Sequence, residues 1–440
     1  MNTNREASTR KRERPGSRVF ILSINYAPEP TGFAPHAAAL AAHLAARGHE
    51  VSVFTGFPFA PHWRRRAEDR GQLFRAERKD GATVYRLTHF IPRRPSSVLQ
   101  RILMEGSFSV AALPATIAAA IRAGRPDVLL YIGAQPALAM LTRIIATLFR
   151  RPYFVNVNDL AARAALDVGI VAGPLHRLLD AFEFAAYRAA AGASVLCRAF
   201  EDALVERGYP GDRIRLIRSP IDIEQIRPAA RDDRFRAAYG LPPDAFVVMH
   251  AGSMGKKQGL MNVVDAAGLT AGECGADPCG PRVCWVFVGD GEDKAALVES
   301  VRRRGLEEIV RFVPFQRDED MTAMFAAADV LLLNQLRAVK DTVIPSKLLT
   351  YMSAGRPAIA AVNASSQGAE ILREADGGRI VAPEDPAALA EAARWFMALA
   401  PEQLSAFGAR NRAYAEKHFD QRKILAAHEL FMFGAHEGVS

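Results

Sequence analysis

Apolar runs of strand length recur along this 440-residue chain, separated by stretches of helical pattern. The runs lie at 19–24, 51–55, 83–87, 128–132, 153–157 and 194–197, then at 246–251, 284–288, 310–313, 330–333 and 358–362. Several are apolar throughout, as expected of parallel strands covered on both faces. Helical segments such as 34–47, 175–190, 259–267, 294–304 and 386–399 fall between them. That alternation predicts an α/β fold with two doubly wound parallel sheets, because the chain is too long for one ordinary domain. The polar, proline-punctuated stretch from Ser219-Pro220-Ile221-Asp222 to Pro228 reads as the joint. It places an N-terminal domain at 18–218 and a C-terminal one from 219. Open sheets of this kind bind ligands at the carboxyl ends of their strands, so a cleft between two such domains is the expected site.

Charge adds a preference for anions without choosing among them. The net charge is +8, which fits phosphorylated substrates, an anionic membrane surface or nucleic acid. Arginines crowd the beginning, and residues 1–17 read as a disordered basic tail. No nucleic-acid motif accompanies them, so no nucleic-acid partner is expected. Of four cysteines, Cys197 and Cys284 flank apolar runs and read as core, while Cys274 and Cys279 sit in a Gly/Pro-rich loop. No ligand set at metal spacing appears, and no metal or cofactor is expected. Few cysteines and no secretory signal suggest the cytoplasm. The stretch 102–121 is about long enough to span a bilayer, but Glu105 and Pro114 interrupt it. An amphipathic or buried segment is expected instead. With Arg93, Arg94 and Arg101 beside it, it would suit peripheral attachment to an anionic membrane.

The loops carry the chemistry. Pro345-Ser346-Lys347-Leu348 opens a helical stretch that Gly355 and Pro357 close. Ser346 reads as its N-cap, and the free N–H groups of such an end favour an anion, with Lys347 adding a mobile charge. After the run at 246–251 comes Gly252-Ser253-Met254-Gly255-Lys256-Lys257-Gln258-Gly259. Its glycines allow backbone to approach a phosphate, and Lys256 and Lys257 would neutralise it. Gly289-Asp290-Gly291 ends the next run and lacks the third glycine of a dinucleotide fingerprint. Pro314 and Phe315 follow another run, where backbone groups could meet a base. In the N-terminal half, Tyr26-Ala27-Pro28-Glu29-Pro30-Thr31-Gly32 follows the first run, and Asn156-Val157-Asn158-Asp159 ends another with a carboxylate. Such an Asp serves as a helix cap more often than as a catalyst.

In this order these residues resemble the GT-B fold retaining glycosyltransferases of family 4, and most closely those of bacterial colanic-acid and O-antigen polysaccharide synthesis. The resemblance runs from 19 to about 432, carried by 26–32, Arg47-Gly48-His49-Glu50-Val51, 252–259, 288–291, Ala327-Ala328-Asp329-Val330 and 345–357. It implies two Rossmann-like domains facing a central cleft, the C-terminal domain at 219–417 taking a nucleotide-diphosphate sugar. A C-terminal helix, about 418–440, would pack back on the N-terminal domain. Gly252, Ser253, Gly255, Lys256, Lys257, Gly289, Gly291, Pro314, Phe315, Ser346, Lys347 and Gly32 would bind the donor. Glu29, Thr31 and Gly32 would meet the acceptor. UDP is the expected nucleotide, with GDP the alternative.

The chain also departs from the family. Thr342 and Thr350 stand where many members have two glutamates, Ser253 replaces a common arginine, and a frequent histidine is missing near Asn158. The resembling subgroup tends to keep an Asp near that position, so the resemblance implies Asp159 as a candidate catalytic residue, with Lys257, which would hold the diphosphate, as the other. The expected reaction moves a sugar to a polyprenyl-diphosphate-linked glycan with retention, the departing diphosphate being stabilised electrostatically. Two alternatives are a non-catalytic protein of the same fold that binds a nucleotide or glycan, and a nucleotide-sugar epimerase. His36, beside the glycine loop, is isolated in the sequence and reads as structural.

Overall fold

A computed structural model describes residues 16–434, apart from 30–31, 61, 95–96, 161–172, 272–281 and 340–344. The basic tail, Thr31, Asp341, Thr342, Cys274 and Cys279 therefore lie outside the described residues, except that Gly16 and Ser17 are included. The chain divides into two compact units, one of Met1–Ile217 with Leu425–Ser440 and one of Arg218–Ile424.

The first unit is built on an eight-stranded sheet. Its strands are β1 (Arg18–Leu22), β2 (Glu50–Gly56), β3 (Phe74–Lys79), β4 (Ala82–Leu87), β5 (Val128–Gly133), β6 (Tyr153–Val157), β7 (Gly192–Val195) and β8 (Ile214–Leu216). The order is β3-β4-β2-β1-β5-β6-β7-β8. All neighbours run parallel except β3 and β4. The helix Ala34–Ala46 buries Ala37, Leu40, Ala41 and Leu44, a spacing that lays one face on the sheet. From the other end of the chain, the helix Gln421–Gly434 sends Phe431 against Phe154, ring centroids 5.1 Å apart. Gly192 makes room for that ring, because a Cβ there would lie 2.5 Å from Phe431 Cζ.

The second unit holds a six-stranded, all-parallel sheet. Its strands are β9 (Phe246–Ala251), β10 (Val283–Val288), β11 (Val310–Val313), β12 (Val330–Asn334), β13 (Ala358–Ala361) and β14 (Gly378–Val381), in the order β11-β10-β9-β12-β13-β14. Strand alternation divides the core cleanly. Val247, Met249, Val286, Leu331 and Ala360 face one cluster, with Leu348, Met352 and Leu372 from the helices covering it. Val248, Trp285, Phe287, Leu332 and Ile359 face the other, under Val263, Leu297 and Leu389. Both faces are thus buried, which accounts for the unbroken apolar runs. The chain reverses its direction of winding between β9 and β12, and their carboxyl ends mark the switch point at which sheets of this class bind ligands.

Four sequence expectations need amendment. Strands β3, β8 and β14 have no apolar run to announce them: β3 reads Phe-Arg-Ala-Glu-Arg-Lys and buries none of its residues fully. The joint falls after Ile217, one residue earlier than expected, and the return to the first unit comes at Leu425, not near 418. The helix Pro401–His418 stays with the second unit because Arg412 Nη1 donates to the carbonyls of Ile223, Ile226 and Ser353. Finally, neither Glu105 nor Pro114 interrupts the helix Val98–Ala123. Glu105 turns inward, 3.5 Å from Ala137 N at the start of the helix Pro136–Phe149, and burial pushes its carboxyl up to about 7. By length and composition this is the one helix among the described residues that could cross a bilayer, and only 28% of its most apolar stretch is buried.

Candidate functional site

Two turns at the switch point lock together through their backbones. Gly252 N donates to Val288 O at 2.8 Å, Met254 N to Asp290 O at 2.8 Å and Asp293 N to Met254 O at 3.0 Å. The contact demands glycine. A Cβ on Gly289 would overlap the carbonyl of Gly252, and one on Gly291 the carbonyl of Met254. Gly252 itself adopts φ +125°, a conformation open mainly to glycine. Behind the turns, Asn334 Nδ2 donates to Gln258 O at 2.6 Å and to Gly259 O at 3.1 Å, and Asn262 Nδ2 donates to Asn334 Oδ1 at 3.0 Å. Buried amides thereby hold the short 3-10 turn Lys256–Gln258, and the side chains of Lys256 and Lys257 are exposed above it.

The helix Ser346–Ser353 closes the site from the β12 side. Its N-cap is Pro345, not Ser346, and no side chain caps it. Pro345 is extended at φ −61°, ψ 120°, so Ser346 becomes the first helical residue and loses the capping geometry. Leu348 N donates to Pro345 O, while the preceding N–H groups, those of Ser346 and Lys347, have no intrahelical acceptor. An uncapped end of this kind favours an anion. Tyr351 fixes the helix to the sheet: its hydroxyl accepts from Ala251 N at 3.0 Å and donates to Ala251 O at 3.1 Å.

Lys347 is the lysine pressed into the glycine turn. Its stem lies where a side chain on Gly252 would be, since a Cβ there would stand 2.6 Å from Lys347 Cε. Its Nζ donates to Ser253 O at 3.1 Å and lies 3.0 Å from His250 Nε2. Burial draws the ammonium down to about 8. Burial, and secondarily the charge of Lys347, draws His250 down to about 3, so the ring is neutral at working pH.

The remaining candidates are more scattered. Pro314 and Phe315 are exposed beyond β11, with Gln316 tucked under them against Tyr239. In the first unit, Glu29 is 3% exposed, and its carboxylate accepts from Asn25 Nδ2, Phe59 N and Ala60 N at 2.7–2.8 Å. That carboxylate builds the loop after β1. Gly32 has φ +65°, and no protein atom lies within 4 Å of a Cβ placed on it. Asp159 is half-buried after β6, and its charge helps to raise the buried Tyr187 hydroxyl, after burial itself and the nearer Glu183. His36 is not isolated: its ring lies 5.0 Å from that of His428 on the last helix. Among the described residues no group of three or more His, Cys, Asp or Glu could hold a metal ion. A hollow lined by Pro242, Arg282, Glu308 and Arg311 lies where the chain enters β9–β11, the end of the sheet away from these turns.

Sequence reasoning missed His250, Asn334 and Tyr351. A signal existed for the first, because one titratable residue in the apolar run Phe-Val-Val-Met-His-Ala requires a partner. Nothing local marks the other two, whose partners lie far along the chain.

Comparison with known proteins gives two family matches: a glycosyl transferase 4-like domain over residues 31–220 and glycosyl transferases group 1 over 231–414. The protein described as putative colanic acid biosynthesis glycosyl transferase WcaI of Escherichia coli (strain K12) is 28% identical over 418 residues, 93% of this chain and 98% of that one. Among solved structures, Anabaena Alr3699/HepE in complex with UDP superposes with a TM-score of 0.64 at 17% identity, covering 94% of this chain and 98% of that one. WaaG, a glycosyltransferase involved in lipopolysaccharide biosynthesis, gives 0.61 at 17% identity, covering 94% of this chain and all of that one. At such identities the structures speak for the fold.

Proposed function

Because the chain belongs to the GT-B glycosyltransferases, we propose that it moves a sugar from a nucleotide-diphosphate donor, a UDP-sugar, to a lipid-linked glycan during bacterial surface polysaccharide synthesis. One observation carries the reading. The ammonium of Lys347, the uncapped start of the helix Ser346–Ser353 and the glycine turn at Gly252 converge at the switch point of the second sheet. A diphosphate fits that arrangement, with Lys347 as point charge and the N–H groups of Ser346 and Lys347 as donors. Exposed Lys256 and Lys257 add positive charge on the adjoining turn.

In this reading the reaction is retaining and needs no nucleophile from the protein. The acceptor hydroxyl attacks the anomeric carbon on the side that the diphosphate leaves, the bond from that carbon to the phosphate oxygen breaks, and the hydroxyl proton passes to that oxygen. The developing charge on the departing phosphate falls to Lys347 and the helix N–H groups, which are fixed before the reaction begins. Asp159 would act in the first unit. The lipid-linked acceptor is supported by the helix Val98–Ala123, which shows Leu99, Ile102, Leu103 and Val110 to solvent beside Arg101. Such a surface suits peripheral attachment on the cytoplasmic side, apolar residues entering the headgroup boundary and arginines pairing with anionic lipid.

Thermal unfolding with UDP, GDP, ADP and TDP in turn tests the pocket. A nucleotide at about 100 times its dissociation constant stabilises the fold by roughly 2.7 kcal/mol. UDP is expected to raise the midpoint, and Lys347→Ala to abolish the rise. If none of the four nucleotides moves the wild-type midpoint, the donor site is misassigned.

A further inference from the structure

An ammonium has three N–H bonds, and the protein accounts for two of those on Lys347. One meets Ser253 O at 3.1 Å and one meets His250 Nε2 at 3.0 Å. For the histidine contact to be a hydrogen bond, Nε2 must offer a lone pair, so the ring proton must sit on Nδ1. Each ring nitrogen has a backbone acceptor near it, Leu332 O at 3.3 Å from Nδ1 and Ser253 O at 3.4 Å from Nε2. The ammonium of Lys347, closer to Nε2 and itself donating to Ser253 O, selects the tautomer with its proton on Nδ1, which Leu332 O on β12 accepts. The ring is 1% exposed, in a strand whose other side chains are all apolar. Leu332 O, His250 and Lys347 therefore form a directed chain from the sheet interior to the glycine turn.

We propose that His250 is a positioning residue for the donor diphosphate: its Nε2 accepts one ammonium proton of Lys347, holds Nζ against Ser253 O and leaves the third N–H for a phosphate oxygen. This rests on the reading of Lys347 as a diphosphate ligand and adds a residue that never touches the donor. Without the ring acceptor, the ammonium loses one of its two fixed bonds and its long stem gains rotamer freedom. Binding of a diphosphate then has to order the lysine afresh.

The role has an electrostatic signature. A hydrogen bond accepted from the ammonium favours its charged form. Removing the acceptor lowers the pH at which Lys347 loses its charge, and with it the pH at which diphosphate binding fails. The charged groups on and beside the two adjoining turns are Lys256, Lys257, Asp290, Glu292, Asp293 and Lys294, with Glu292 Oε1 3.4 Å from Lys256 N and Lys294 Nζ 3.2 Å from Gly289 O. Tyr351 is the titratable neighbour one turn along the same helix, and burial raises its hydroxyl far out of the relevant range. None of these is altered by a change at His250.

The test is calorimetric titration of UDP, with uridine as the phosphate-free control, from pH 6.5 to 9.5. The proteins compared are the wild type, His250→Phe, His250→Gln and Lys347→Ala. His250→Phe is expected to weaken UDP about tenfold at pH 7.5, to leave uridine unchanged and to move the alkaline loss of binding to lower pH. His250→Gln, whose Oε1 can accept from Nζ, should recover most of the affinity. Unchanged UDP affinity and an unchanged alkaline limb in both His250 variants would overturn the proposal. Equal losses for UDP and uridine would also overturn it, since they point to general disruption. If Lys347→Ala itself binds UDP like the wild type, the diphosphate site is what fails, and the role of His250 falls with it. Should His250→Phe not fold, His250→Ala takes its place as the variant without an acceptor, and the same losses and the same shift of the alkaline limb are expected of it.

Discussion

Adding one methyl group to Gly289 would drive it into the carbonyl of Gly252, and the two turns at the switch point would separate. Gly289→Ala is therefore expected to cost about 1–3 kcal/mol of stability. It should weaken UDP far more than the loss of stability explains, read as titration at a temperature where the variant is still folded. Among the lysines, Lys347→Ala should reduce transfer more than Lys257→Ala, because Lys347 lies in the turn and Lys257 is exposed above it. Comparison of kcat for the two variants checks the order. Equal or reversed losses would return Lys257 to the leading role that its sequence position gave it. Residue types at the site were legible because glycine turns and lysines announce anion chemistry. What each lysine does was not. Whether Lys257 or Lys347 enters the turn depends on His250 and Ser253, which come near Lys347 only after the sheet has formed. Glu29 shows the same limit, since its three hydrogen-bond donors come from residues 25, 59 and 60.

At the level of elements, the central strands could be read from their apolar runs, because burial on both faces leaves no polar position to confuse the pattern. The strands missed are edge or short ones. Half-exposed β3 alternates charged residues, and nothing in six such residues separates a strand from a loop. Pairing of helices was hidden too, as His36 and His428 show. His428 is buried and His36 half-buried, and both rings are kept uncharged: desolvation pulls His36 down to about 4 and His428 well below its ordinary value. Around them, Glu429 bonds His43 at 2.9 Å and lies 3.3 Å from Arg47 and 3.6 Å from His49. In the unfolded chain each histidine takes its proton near 6.5. Below that value the unfolded state binds more protons than the folded one, so stability is full above about pH 6.5 and falls on acidification. The slope is about 1.4 kcal/mol per pH unit for each ring, continuing for His36 to about pH 4. Urea midpoints between pH 7.5 and 5 should fall accordingly, and His36→Leu should flatten the fall. A midpoint independent of pH over that range would contradict the neutral pair.

For the molecule as a whole, fold class and the presence of two domains followed from strand–helix alternation and length. The surface did not, because an apolar helix reads alike whether its face is packed or open. Leu99, Ile102, Leu103, Val110 and Ile121 on the helix Val98–Ala123 are at least 49% exposed, as are Ile144 and Leu148 on its neighbour Pro136–Phe149. Vesicles containing anionic lipid are expected to bind the protein, and 1 M salt to weaken the binding strongly. Val110→Glu with Ile102→Glu should abolish it, as read by co-flotation. Retention of this double variant on vesicles would exclude this helix as the contact. The divided first unit has a further consequence, for synthesis. Its strands leave the ribosome early, but Leu425, His428 and Phe431 belong to the same unit and follow only after Arg218–Ile424 has been made. At about 5–20 residues per second that interval is on the order of tens of seconds. Throughout it, the hollow beside Gly192 and Phe154 lacks its occupant. The domain begun first is thus the one completed last, and a nascent chain stalled within the second unit carries an unfinished first unit with an open apolar seat.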